Sequence, residues 1–329
     1  MQKRNKLVIS IAAAAVVLGT AAFLFVRSNE PTGDFVEYAM QEKTDIPTAI
    51  AIGPDSSVWF TMDFAPAIGR IRDGKVERIA TGKQRNNVEP LGLGVDSTGT
   101  VWYTDALDQA ITSISPDGEF RKYPLDTPIA RLARLTVGKD GTVWFAEGTA
   151  YSITSLKDGK VSRHVINNVR GGPYGVAVDA QGNVWATLQG GNQLLKITPS
   201  GEMNEYEVPT RSSSPTDITV DAAGAVWFVE FRGSKVGRFF DGKFTEFDVP
   251  SESWAALSGV TVAPDGAVWF GAMREHAIGR VRDGKVKLFP LPRPDARPYS
   301  VAADAAGNIW YADISGYVGM LKASAAKKP

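Results

Sequence analysis

Apolar and polar positions alternate every second residue in short runs that end at Gly-containing turns and recur along the chain from residue 35 onward. The unit is clearest in Pro173-Tyr174-Gly175-Val176-Ala177-Val178-Asp179, then Ala180-Gln181-Gly182-Asn183, then Val184-Trp185. Val176 and Val178 mark one buried face of an inner strand A, the Asp-x-x-Gly turn reverses the chain, and strand B carries the tryptophan. Strand C follows as Ile68-Gly69-Arg70-Ile71, Val236-Gly237-Arg238-Phe239 and Ile278-Gly279-Arg280-Val281, its glycine permitting close approach of a neighbouring backbone. Asp-Gly turns such as Asp241-Gly242-Lys243 lead into strand D, as in Glu246-Phe247-Asp248-Val249-Pro250. The strand B core recurs at Trp59, Trp102, Trp144, Trp185, Trp227, Trp269 and Trp310, with spacings of 43, 42, 41, 42, 42 and 41 residues. A fixed period of about 40 to 50 residues of β-forming sequence predicts an all-β, seven-bladed β-propeller with one four-stranded blade per repeat, here over residues 35–321.

The last repeat stops after strand C, at Val318-Gly319-Met320-Leu321, whereas Phe35-Val36-Glu37-Tyr38-Ala39 has the strand D pattern with no strands A to C before it. The N-terminal strand is therefore expected to complete blade seven and so remove the exposed sheet edges of an open ring. Residues 322–329 read as a disordered tail.

Ahead of the propeller, Lys3, Arg4 and Lys6 precede an uncharged run from Leu7 to Val26, long enough to cross a hydrocarbon core of about 30 Å. Residues 1–29 read as an N-terminal transmembrane helix that anchors an exported propeller to the inner membrane, in the periplasm or outside the cell, with residues 30–34 as linker. The competing reading is a signal peptide cleaved near Gly19-Thr20-Ala21, giving a secreted protein.

Lys plus Arg and Asp plus Glu both number 36, so no net field favours nucleic acid as a partner, and the absence of cysteine excludes disulfides and thiolate chemistry. Both tight turns of each blade fall on one face of the wheel and the longer B-to-C and D-to-A loops on the other, where ligand sites are expected. One ring of side chains at that mouth comes from the second position of the Pro-x-Gly lead-in to strand A: Thr48, Leu91, Ala133, Tyr174, Thr216, Ser258 and Tyr299. Tyr174 and Tyr299 either plug the channel or form a hydrogen-bonding ligand platform. A second ring, three residues after each tryptophan, includes Asp105, Glu147, Glu230 and Asp313. These acids are expected as solvated rim charges, as partners of Arg131, Arg134, Arg170, Arg232 or Arg297, or as ligands of a divalent cation, with Glu147, Glu230 and Asp105 the metal candidates. Trp254, outside the repeat, is expected to cap the mouth and contact a ligand or partner.

The units Pro-x-Gly-Val-x-Val-Asp-x-x-Gly-x-Val-Trp-Phe and Ile-Gly-Arg-Ile, with the links Leu291-Pro292-Arg293-Pro294-Asp295-Ala296-Arg297-Pro298 and Val208-Pro209-Thr210, resemble the streptogramin B lyases, also known as virginiamycin B lyases. The resemblance covers residues 35–321. It implies a seven-bladed propeller that linearises a cyclic depsipeptide antibiotic by breaking an ester through elimination, without adding water and using magnesium. It also implies a catalytic histidine at the Pro-x-Gly position of blade six and a catalytic Glu-Pro-His step leading into blade seven. Here these positions carry Ser258 and Arg297-Pro298-Tyr299, so the catalytic set is replaced.

Tyr299, Ser258 and His276 remain as catalytic candidates, although tyrosine, with a pKa near 10, is a poor base at neutral pH. Only two histidines exist, His164 in a strand D and His276 in the blade-six B-to-C loop. Two functions are therefore expected to compete. One is a binding module that takes a small molecule, a peptide or an envelope protein at the loop face through Tyr174, Tyr299, Arg297, Trp254 and the acids. The other is an enzyme, either a divergent lyase or a metal-dependent ester- or lactone-cleaving enzyme. No Gly-x-Ser-x-Gly elbow supports serine hydrolysis.

Overall fold

The computed structural model describes residues 33–82, 89–127, 130–167 and 172–328. Within these residues the strands form seven four-stranded antiparallel sheets, each built in the order A, B, C, D, and the seven inner strands touch in a closed ring. The loops of blades five to seven line one pocket. Blade five comprises Pro215–Val220, Val226–Glu230, Lys235–Phe240 and Lys243–Asp248. Blade six comprises Leu257–Val262, Val268–Ala272, Ala277–Arg282 and Lys285–Pro290. Blade seven takes Pro298–Ala303, Ile309–Asp313 and Tyr317–Leu321 from the C-terminal end and Phe35–Ala39 from the N-terminal end, with Phe35 opposite Leu321 and Ala39 opposite Tyr317. The expected closure is thus present, and it pairs the side of Tyr317–Leu321 that would otherwise stand as an open edge.

The repeat residues explain how each blade holds together. The tryptophan of strand B stacks on an aromatic residue of strand D, as in Trp227 on Phe247 at 5.6 Å between centroids, Trp185 on Tyr206 at 5.9 Å and Trp310 on Tyr38 at 5.9 Å. In blade three His164 takes this place beside Trp144 at 5.7 Å, which makes His164 part of the packing, and burial lowers its pKa. The strand C arginine also lies over the indole: Arg70 over Trp59 at 5.0 Å, Arg238 over Trp227 at 5.6 Å. The Asp-x-x-Gly aspartate serves both turn and indole. Asp221 Oδ1 accepts the N–H groups of Ala223 and Ala225, and its Oδ2 accepts the Trp227 indole N–H at 2.8 Å.

The strand C glycine makes room for a ring and not for a neighbouring backbone. A Cβ on Gly237 would lie 2.1 Å from Phe228 Cζ, and one on Gly279 would lie 2.1 Å from Phe270 Cζ. Gly237→Ala is therefore expected to cost about 1 to 3 kcal/mol through overpacking, read as a lowered denaturant midpoint. An unchanged midpoint would mean that the ring moves aside freely.

The C-terminal segment differs from its expected disorder. Ala323–Ala326 forms one helical turn, and Ala325 and Ala326 are buried in the core cluster that contains Trp269 and Ile309. Arg280 donates to the carbonyls of Ala326 at 2.6 Å and Lys328 at 2.9 Å, and Lys328 pairs with Asp34. The small alanines fit a gap that the sequence pattern does not reveal. The expected anchor, residues 1–29, lies outside the described residues, and among those described no helix is long and apolar enough to cross a membrane.

Candidate functional site

Strand A begins with a bulge in most blades, as at Pro173/Val176, Pro215/Ile218, Ser258/Val260 and Pro298/Ser300. A bulge re-aims side chains, and here it turns the lead-in residues toward the axis. Tyr174 from blade four and Tyr299 from blade seven meet there, hydroxyl to hydroxyl, at 2.6 Å. The buried Arg134 guanidinium lies over the Tyr299 ring at 5.2 Å and donates to the carbonyls of Leu91 at 3.1 Å and Tyr299 at 3.3 Å. Its Nε is 3.8 Å from Asp217, which also accepts the Val260 N–H at 3.2 Å. Ser258 Oγ donates to the same Tyr299 carbonyl. Burial, reinforced by Tyr299, holds the Tyr174 hydroxyl well above its ordinary pKa, so it is a proton donor and not a base. The two tyrosines are thus joined hydroxyl to hydroxyl, and Ser258 is bonded to the backbone of one of them. Beneath lies a channel cavity of about 220 Å³ lined by inner-strand residues, Arg134 and Asp217 among them.

The lead-in periodicity finds the tyrosines but assigns no role to Asp217. Its signal was available: Arg134 and Asp217 occupy the third lead-in position, where Gly92, Gly175 and Gly259 stand in other blades.

The acidic ring does not line the mouth. Asp105, Glu147, Glu230 and Asp313 are all buried, at 2%, 0%, 0% and 0% exposure. Strand B is still paired with strand C at these positions, Glu147 opposite Ser152 and Asp313 opposite Tyr317, so the side chains stay inside the packed blades. Side chains of outer strands and loops take the place of the expected guanidinium groups, while Asp313 also accepts the backbone N–H of Arg297 at 2.8 Å and Arg170 lies outside the described residues. Glu147 meets Arg163 at 3.1 Å, Asp313 meets Arg293, and Asp105 accepts the Asp108 N–H. Glu147, Glu230 and Asp105 are each buried inside a different blade and do not converge, and among the described residues no cluster of three or more His, Asp or Glu is placed to hold a metal ion.

Three other expected residues do come together. Trp254, His276 and Arg297 line one pocket of about 430 Å³ on the loop face of blades five to seven, with Phe231, Met273 and Arg274. Its walls are loops bonded to loops: Phe231 N–H to Ser214 O at 3.1 Å, Arg274 N–H to Ala255 O at 3.1 Å and Ile314 N–H to Arg297 O at 3.2 Å. Trp254 packs edge-on against Phe231 at 5.1 Å, and the Arg274 guanidinium lies over the Trp254 ring at 5.1 Å. His276, with φ at 50°, ends the short 3₁₀ turn Met273–Glu275. Its Nδ1 is 2.8 Å from the Ala296 carbonyl. A carbonyl only accepts, so Nδ1 carries the hydrogen and Nε2 is left as an acceptor. Arg297 is exposed, and among the described residues its guanidinium has no hydrogen bond or ion pair. The lining contains no carboxylate, so it does not fit a magnesium ion, which prefers hard oxygen ligands.

Residues 26–192 and 83–326 match the model of a family described as the virginiamycin B lyase family. A virginiamycin B lyase from Nocardia farcinica (strain IFM 10152) is 31% identical over 205 residues, 62% of this chain and 70% of that one. A streptogramin B lyase structure is 27% identical with a TM-score of 0.82, covering 87% of this chain and 96% of its own. A catalytically inactive histidine-to-alanine variant of virginiamycin B lyase from Staphylococcus aureus, solved with quinupristin, is 27% identical with a TM-score of 0.82, covering 88% and 98%.

Proposed function

From the premise that the chain belongs to the virginiamycin B lyase family, we propose that it is a binding module and not an active lyase, and that it takes its ligand in the loop-face pocket of blades five to seven. The observation that carries this reading is the lining itself. An aromatic pair, Trp254 and Phe231, is flanked by the guanidinium groups of Arg274 and Arg297 with no carboxylate to serve as a base. The positions that the resemblance assigns to catalysis support it too, since Ser258 donates to the Tyr299 carbonyl, the Tyr299 hydroxyl is bonded to that of Tyr174, and Arg297 carries the charge opposite to that of the expected glutamate. Residues 7–26 complete the reading as a tether that holds the exported propeller at the membrane, its loop face available to a peptide or an envelope protein.

A second reading has one observation in its favour. His276 is oriented by the Ala296 carbonyl so that Nε2 is free to act as a base, as a divergent lyase requires. Incubating the full-length protein with quinupristin and magnesium, followed by liquid chromatography and mass spectrometry, separates the two. Unchanged quinupristin is expected. A product of the same mass and altered retention, lost in His276→Ala, would replace the binding reading with the lyase. Millimolar magnesium or calcium alone is expected to shift the melting temperature by less than about 1 °C, because a ligand that does not bind the folded state cannot stabilise it.

A further inference from the structure

The geometry points to a specific ligand class for this pocket: the C-terminal carboxylate of a linear peptide whose last residue is aromatic or large and apolar. The inference rests on the reading of the pocket as a binding site and adds what it recognises. Two guanidinium groups line one cavity, and neither Arg274 nor Arg297 has an ion-pair partner among the described residues. None of the neighbouring acids Asp313, Glu275 and Glu252 forms an ion pair with either guanidinium. Asp313 is bonded to Arg293 and to the Arg297 backbone N–H, and Glu275 accepts from Ser251 at 2.6 Å. Both guanidinium groups are therefore available to an incoming carboxylate, which they bind with short, charge-assisted bonds.

The apolar part of the pocket sets the rest of the ligand. Trp254, Phe231, Met273 and Ile314 give the pocket an apolar wall suited to a ring or a large aliphatic side chain, and about 430 Å³ leaves room for a terminal residue with its carboxylate. The His276 Nε2 acceptor matches a peptide N–H. A free amino acid fits less well, because its ammonium group would enter a lining with two cations and no acid. Peptide recognition through a terminal carboxylate is a known general mode, here built from side chains.

The test uses three probes against the full-length protein by titration calorimetry: N-acetyl-Ala-Ala-Phe, the same peptide with a C-terminal amide, and free phenylalanine. The acid is expected to bind at least about tenfold more tightly than the amide or the amino acid, with an advantage that shrinks as salt is raised. Arg297→Gln should bring the acid down to the level of the amide, and Trp254→Ala should weaken both peptides. Equal binding of acid and amide would overturn carboxylate recognition while leaving the pocket a peptide site. Binding of neither peptide would overturn both this inference and the reading on which it rests.

Discussion

Replacing Arg293 with methionine is expected to destabilise the propeller by about 3 to 5 kcal/mol, the usual consequence of removing one partner from a buried ion network. Arg293 sits in the loop between blades six and seven and joins the two ends of the chain. Its Nε lies 3.2 Å from both carboxylate oxygens of Glu37 in the N-terminal strand, its Nη2 bonds Asp313 in strand B, and its Nη1 bonds Ser315 at 2.7 Å. The guanidinium also stacks on Tyr317 at 3.6 Å. Glu37 and Asp313 are only 14% and 0% exposed, so methionine would fill the space but leave two carboxylates buried without their cation. Chemical denaturation reads the loss directly. Adding Asp313→Asn to the variant should restore part of it, because a neutral amide needs no counter-charge. A loss below about 1 kcal/mol for Arg293→Met would show that the closure is held by strand pairing and apolar packing alone.

The second large effect is on pH dependence. Glu230 is fully buried at the end of strand B in blade five, and burial followed by the neighbouring Glu246 pushes its pKa up from an ordinary 4.5 to about 8. Burial also acts on Glu246, but Lys235 and Thr210 bind it closely enough to keep its pKa below the usual value. The sign follows from linkage. An acid with a raised pKa in the folded state stays protonated there after the unfolded chain has ionised. Its stabilising contribution is complete below about pH 4.5 and is lost as pH rises through about 8.

The loss amounts to at most about 5 kcal/mol at pH 8 and above. Glu230→Gln keeps the shape, cannot ionise and can donate its amide to Glu246. The variant is expected to be the more stable protein at pH 8.5 by a few kcal/mol and to show a flatter stability profile between pH 5 and 8. Superimposable profiles for the two proteins would show that Glu230 ionises normally in the folded state.

Glu230 and Asp313 also mark where sequence reading stops. Both stand three residues after a strand B tryptophan, and the alternation correctly assigns them a common side of the strand. Alternation does not say whether that side is still covered by a neighbouring blade at the loop end. The ladder continues through Glu230, opposite Lys235, and through Asp313, opposite Tyr317, so both are interior. The lead-in tyrosines were legible because their position in the repeat is periodic. That Tyr174 and Tyr299 meet was not legible, since 125 residues separate them and only closure of the ring brings them together.

The same distinction holds for the pocket. Trp254 stood out as the one tryptophan outside the series, His276 as one of two histidines and Arg297 as a basic residue in the link to blade seven. Each was visible singly, and nothing local placed them in one cavity. Sequence alone determined the strands, the turns, the blade count and the strand that closes the circle, because these follow from the period-two face of a strand and the φ preferences of turn residues. The tertiary structure decided which side chains share a site and which are sealed inside a blade. Those facts depend on contacts between loops of different blades, which exist only once the ring has closed.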